Sequence, residues 1–398
     1  MSRMIMTSMI LVVLAAGCSP SATSLSTSRK AGTAGPLESG WDCACAINNL
    51  PFDQSDRSLA QAKIAYAYLE AGDVEKAYAC GSQIEDWQKG MVLAKVAGWY
   101  IEHGQTAKAE SMRPELQASV FLARDWQRPW LRVAISRVEA LLGHEQEVYG
   151  TSSNLASHVN LAGDAAANLA LALARTGRVD EAEVVLGNLG KTKSQDVAVS
   201  RVQGYLDLVI SGRIDSKTAP EVLTNAWVAT SQIKPFRRWE VQLMVMDAMV
   251  RHGLTNQVGS HLEEVASNVV GAVRLPPEVR VSFLSRGALM WQRLNEPQKA
   301  LAICNVAEQA MTNTLDIIFQ PEAYSKLAEC YIAIGDMPQA RATYGRALDI
   351  AVGLVNRRPR ANAGVEVCLS LAAHKEVIDA DIQKRLERLV GTFDAKRP

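Results

Sequence analysis

The residues that most often carry chemistry are present here, but not at the spacings that chemistry needs. Six histidines, His103, His144, His158, His252, His261 and His374, are scattered along 398 residues. No two of them form the His-Glu-x-x-His pair that sets two imidazoles on one helix face around zinc. There is no Gly-x-Ser-x-Gly elbow and no glycine-rich phosphate loop. Glu263-Glu264 and Glu308 read as charged helix surface rather than as an acid/base pair. Cys43-Ala-Cys45 is one residue short of a redox or structural-zinc Cys-x-x-Cys and has no histidine nearby. Catalysis, a metal and a cofactor are therefore not expected. Arg124, Arg128 and Arg132 recur at i, i+4 and i+8 beside Trp126 and Trp130. On one helix they would make a basic stripe for an acidic segment or a glycan, whereas Pro129 cuts into that helix and a solvated face is the alternative. Arg237-Arg238-Trp239, following Pro235, admits the same two readings.

The elements that must position these residues are helical. From Ala323 to Ile350, Tyr324, Leu327, Ala328 and Tyr331 precede Gly335 at helical spacing, and Ala340, Tyr344, Ala347 and Leu348 follow it, so two amphipathic helices flank one tight turn. Gly335 can take a left-handed backbone at the first helix's end, Asp336 can cap the second, and Pro338 is tolerated in its first turn. The pattern recurs at Gly72, Gly104, Gly177 and Asn295, each with alanine five positions later (Ala77, Ala109, Ala182, Ala300, as Ala340 after Gly335). Each turn also has alanine seven positions earlier (Ala65, Ala97, Ala170, Ala288, Ala328). Both alanines fall where the paired backbones must approach closely. Weaker turns stand at Gly143, Gly212 and Gly253, with Lys217 and Val258 where the later alanine is expected after the last two.

These repeats resemble the tetratricopeptide repeat over most of Asp56 to Leu354, with intervals of 32 to 42 residues against about 34 for the standard unit. The resemblance implies an all-α fold, a right-handed α-solenoid of helix-turn-helix repeats, with a concave groove lined by the first helix of each repeat. In the family's register that groove includes Tyr66, Leu69, Leu171, Leu206 and Leu289, an apolar set suited to a hydrophobic or helical protein segment. Cys304, in the second helix of one repeat, and Cys330, in the first helix of the next, would be neighbours. A bridge between them is geometrically allowed, and two small core residues are the alternative.

The N-terminus carries a separate signal. Arg3, the apolar run Ile5 to Leu14, and Ala15-Ala16-Gly17-Cys18 resemble a bacterial lipoprotein leader, which implies a diacylglyceryl group on the Cys18 thiol. Ala15 stands where leucine is usual, and Ser19 after the cysteine implies the outer membrane, facing the periplasm. The expected organisation is a leader over 1–18, a flexible Ser/Thr/Gly-rich tether over 19–40, an N-terminal cap over 41–55, the solenoid over 56–355, and closing helices over 356–398. Basic Arg357-Arg-Pro-Arg360 breaks the repeat pattern ahead of those last helices.

Lys+Arg and Asp+Glu are equal at 42 each, so no bulk field draws the chain to nucleic acid. The resulting expectation is an envelope lipoprotein acting as a protein-interaction scaffold, held to the membrane by its lipid. Two alternatives are a self-associating structural component and an all-helical toroid acting on glycans. The toroid would be favoured by a closed ring in place of an open superhelix, with carboxylates converging beside aromatics.

Overall fold

The structure, a computed structural model, describes residues 34–48, 53–155, 158–210, 214–272, 275–311 and 316–394. The leader and its Cys18 lie outside these residues, as does the tether up to residue 33. Among the described residues there are nineteen α-helices and no strand. They are α1 (Pro36–Ala46), α2 (Gln54–Glu70), α3 (Val74–Ser82), α4 (Gln88–Glu102), α5 (Thr106–Leu122), α6 (Arg128–Leu142) and α7 (Glu145–Leu155); α8 (Val159–Arg175), α9 (Val179–Leu189), α10 (Gln195–Ile210), α11 (Ala219–Ala229), α12 (Pro235–Arg251) and α13 (Thr255–Gly271); then α14 (Pro277–Arg293), α15 (Pro297–Met311), α16 (Gln320–Ala333), α17 (Met337–Gly353), α18 (Arg357–Ala373) and α19 (Ala380–Asp394).

One turn geometry makes the hairpins. After α16, Gly335 (φ 80°) lets its own N–H reach the Ile332 carbonyl at 3.0 Å and the Asp336 N–H reach the Tyr331 carbonyl at 2.9 Å, the double bond that closes a helix C-terminus. The Asp336 carboxylate then accepts from Gln339 N–H at 3.1 Å and opens α17. The same pair of backbone bonds recurs at Gly72, Gly104, Gly143, Gly177, Gly253 and Asn295. Asn295 (φ 60°) is the one non-glycine residue with positive φ among those described. The alanines on either side of the five strongest turns are all 0% exposed, so the small residues do lie at the helix–helix contacts. Val258 is also fully buried at its turn's equivalent position, whereas Lys217 lies exposed ahead of α11 and contributes nothing there.

The hairpins stack as an all-α solenoid in two layers. Even-numbered helices α2 to α18 pack each against the next, while α3 to α17 each bridge their own partner and the following even helix without packing closely on one another. The even layer is therefore the inner one. α18 also touches α2, so this layer returns to its start.

The closure is made by α1. It packs on both α18 and α2, which is the place an outer partner of α18 would fill, and α19 lies against α17 and α1. Arg357 at the start of α18 meets Ala46 at the end of α1, so the two helices run antiparallel like the pair in every other hairpin. Two glycines set their distance. A Cβ on Gly40 would fall 3.0 Å from Cys368 Cβ and 2.6 Å from Ile64 Cδ1, and one on Gly364 would fall 2.7 Å from Cys43 Sγ. Leu37, Trp41, Cys43, Ala44 and Ile47 are buried in this contact. Each of its large apolar side chains stabilises by about 1.5–3 kcal/mol.

Three expectations change as a result. Helix begins at Pro36, inside the stretch read as tether. The segment read as a cap over an open end completes the last helix pair instead. Arg357-Arg-Pro-Arg360 does not interrupt the repeats but starts a ninth inner helix, with Pro359 in its first turn where a missing N–H costs nothing.

Candidate binding sites on the inner helices

The predicted groove residues do not form one surface. Tyr66 and Leu69 are half-buried on α2, and burial pushes the Tyr66 phenol up to about 12. Leu171 and Leu206 are only 2% and 4% exposed, so Leu171 is core and Leu206 shows no more than an edge. The family register falls on inner-layer helices, but at Leu171 it falls on the core side of the helix. Leu169, rather than Leu171, is the partly open leucine of that turn of α8, and Ile210 is the open residue at the end of α10.

Leu206 and Leu289 do meet around one cavity. It encloses about 330 Å³ between α10, α12 and α14. Its apolar part includes Leu206, Ile210, Met244 and Leu289; its rim includes Asp247, Arg251, Arg286 and Arg293. Ile210 is 56% exposed and Met244 40%, a solvent-facing apolar pair on the inner layer. Asp247 bonds Arg293 at 2.6 Å and also holds Arg251 one turn along the same helix. Arg286 makes no hydrogen bond or ion pair among the described residues. Burial lowers its guanidinium against the more distant carboxylates of Glu240, Glu329 and Asp247. Three guanidiniums against one carboxylate leave this rim cationic. Its chemistry suits an apolar segment that also carries an acidic group.

A second cavity of about 360 Å³ lies at the closure, lined by Asp56, Leu59 and Lys63 of α2, Arg358, Asn362 and Glu366 of α18, Glu322 of α16, and Ile318 and Phe319 before it. Lys63 pairs with Glu366, and Arg358 pairs with Asp53 at 2.8 Å and Asp56 at 3.3 Å. Burial first, and the nearby Glu366 second, push the Glu322 carboxyl above its ordinary value despite Lys63 and Lys326.

Elsewhere the inner layer is tied by buried polar contacts. Glu329, 4% exposed, accepts from Ser285 of α14 at 3.1 Å, Ser370 of α18 at 2.6 Å and Lys326 at 2.7 Å. Tyr344 of α17 completes the group through Ser370 at 2.8 Å. Arg137 of α6 reaches Asp207 of α10 past α8, and Gln203 donates to the same carboxylate at 2.9 Å. Loss of hydration and the facing Arg137 lower the Lys95 ammonium, opposed by Asp207, Glu102 and Glu70. Single polar residues in apolar helices give no sequence signal for such contacts, because their partners lie on other repeats.

The remaining candidates separate. Arg124 lies in the turn ahead of α6, whose first residue is Arg128, so only Arg128 and Arg132 share that helix and the stripe of three is broken. Arg128 turns back to the Ala123 carbonyl at 3.0 Å and to Asp125 at 3.0 Å. Pro129 sits in the first turn, which is where the helix has to begin. Trp126 is 61% exposed and packs edge-on against Trp87, with ring centres 6.0 Å apart. Arg237 and Arg238 are held by Asp196 and the Ile233 carbonyl, and Trp239 is buried. Cys304 and Cys330 are buried free thiols, the Cys304 Sγ donating to the Cys330 carbonyl at 3.0 Å. Among the described residues no three His, Cys, Asp or Glu side chains are grouped to hold a metal, and no helix is long and apolar enough to cross a membrane.

No protein-family model matches the chain, and no curated protein matches it. Two solved structures are similar over most of its length at low superposition scores. Ton1535 from Thermococcus onnurineus NA1 is 16% identical over 83% of this chain and 99% of its own, with a TM-score of 0.26. A circular tandem repeat protein with novel repeat topology is 13% identical over 90% of this chain and 97% of its own, with a TM-score of 0.29.

Proposed function

We propose that this chain is a lipid-anchored envelope protein whose helical repeats serve as a scaffold for a protein segment bound on the inner layer. The observation that carries the reading is the α10–α12–α14 cavity, where Ile210 and Met244 stand open to solvent and half-buried Leu289 lies beside Arg286, a guanidinium without a direct partner among the described residues. Exposed apolar side chains grouped on one face and rimmed by charge mark interaction surfaces more often than scattered ones do. A segment with a large apolar anchor and a nearby carboxylate would fill the cavity and pair Arg286. The membrane part of the proposal rests on Ala16-Gly17-Cys18 after a short apolar run.

Site-specific photo-crosslinking tests the binding surface. A crosslinker at Met244 should capture a defined partner peptide, whereas one at Val184, 64% exposed on the outer helix α9, should not. Equal capture from both positions, or none from Met244, would remove the inner layer as the site. For the anchor, Cys18→Ala should shift the protein from the membrane to the soluble fraction or leave it unprocessed, and normal cleavage with unchanged retention would exclude lipidation.

A second reading has two observations in its favour: the inner layer returns on itself, and Asp56, Glu322 and Glu366 converge on the cavity at the closure beside Phe319. Glycan hydrolysis employs two carboxyls, one of which keeps its proton to act as the acid, and the Glu322 carboxyl is raised. Loss of hydrolysis of a cell-wall glycan in Glu322→Gln would support it, and a wild-type protein inert to such glycans would end it.

A further inference from the structure

We infer that Cys43 of α1 and Cys368 of α18 form a disulfide site that locks the two ends of the chain together. The two thiols are fully buried and lie against one another across the helix pair, although 325 residues separate them. Gly40 and Gly364 face these cysteines across the helix pair and bring the backbones close, with Cys368 Cβ 3.0 Å and Cys43 Sγ 2.7 Å from where glycine Cβ atoms would sit. Disulfides need such an approach, with Cα atoms about 4.4–6.8 Å apart. Cys304 and Cys330 are also adjacent thiols, but the Cys304 Sγ donates in addition to the Cys330 backbone carbonyl at 3.0 Å.

The chemistry is thiol–disulfide exchange with a disulfide oxidant, either a dithiol oxidase or oxidised glutathione. One cysteine thiolate attacks the oxidant's disulfide and releases one thiol. The second thiolate then attacks the mixed disulfide and releases the other. Two S–H bonds and the oxidant's S–S bond break, one S–S bond forms in the protein, and the two protons and two electrons leave with the reduced oxidant. The neighbouring Cys368 thiol, and then burial, hold the Cys43 thiol well above its usual range, so exchange proceeds when α1 is undocked and the product is shielded once it docks. The inference depends on the envelope reading only for the source of oxidant in the cell.

The purified full chain, in glutathione buffers from reducing to oxidising and with or without sub-denaturing urea, is quenched with an alkylating agent and digested without reduction. The expected product is one linked peptide pair containing Cys43 and Cys368, absent in both Cys43→Ala and Cys368→Ala. Oxidation should also slow amide exchange across α1 on the order of a hundredfold. Recovery of both cysteines as alkylated thiols at the oxidising end with urea, or linkage of Cys43 to another cysteine, would overturn the inference. Because the buffer supplies the oxidant, that result leaves the envelope reading untouched, and a Cys18→Ala variant that is cleaved normally and still retained on the membrane leaves this inference untouched.

Discussion

Arg357 and Ala46 are 311 residues apart in the chain and meet at 2.7 Å, the guanidinium Nε donating to a carbonyl in the last turn of α1. Helix ends leave their final carbonyls unpaired, and a cation there contributes about 0.3–1 kcal/mol. This bond is the polar edge of a larger apolar contact in which Trp41 is 7% exposed. Trp41→Ala should therefore cost about 3–5 kcal/mol, seen as a fall in the thermal midpoint. An unchanged midpoint would mean that α1 does not contribute to the folded unit.

Ala340 is fully buried between α16 and α17. Ala340→Arg would place an unpaired charge in that contact and should destabilise by roughly 3–5 kcal/mol. Circular dichroism melts reveal it as early loss of the C-terminal hairpins, and a melt matching wild type would refute the packing.

The hairpins were legible in the sequence because their causes are local. Gly335 and Asn295 need left-handed backbone, Asp336 caps, and Ala328 and Ala340 repeat at fixed distances from the turn. The closure was not legible for the opposite reason. Gly35 and Pro36 open α1 without marking it as a repeat helix, and its complement to α18 rests on Gly40, Cys43, Gly364 and Cys368, small residues whose spacing gains meaning only when the two helices are paired. The candidate site was half legible. Resemblance assigned Leu206 and Leu289 to the inner layer but could not set helix rotation, so Leu171 proved to be core. Arg286 and Met244 had no signal, since one charge and one methionine per helix look the same on any face.

Glu322 predicts a pH dependence. Its carboxyl is raised in the folded chain by burial and by Glu366, so the native state holds a proton that the unfolded chain has released, and stability falls as pH rises from the unfolded value through the folded one. Glu322→Gln removes that loss. Urea titrations should show the variant gaining on wild type at neutral pH, with the gain shrinking below about pH 4, where the unfolded carboxyl is protonated too. A difference constant across pH would contradict the raised value.

On the proposed reading, Met244, Leu289 and Arg286 line the cavity that takes the partner. Truncating each to alanine should weaken binding of the crosslinked partner by about 1–3 kcal/mol while leaving helicity and melting near wild type. Binding isotherms and circular dichroism on the same samples separate this from unfolding. Unchanged affinity in all three would exclude the cavity.

Hydrogen exchange across α1 and α18 bears most directly on the closed inner layer from which the rest of the account follows. α1 amides should exchange as slowly as those of α18, and deletion of residues 34–48 should expose α18 together with the adjoining face of α2 while leaving α8 protected. Exchange of α1 at the rate of an unstructured peptide beside a protected α18, or an α18 indifferent to the deletion, would contradict the closure.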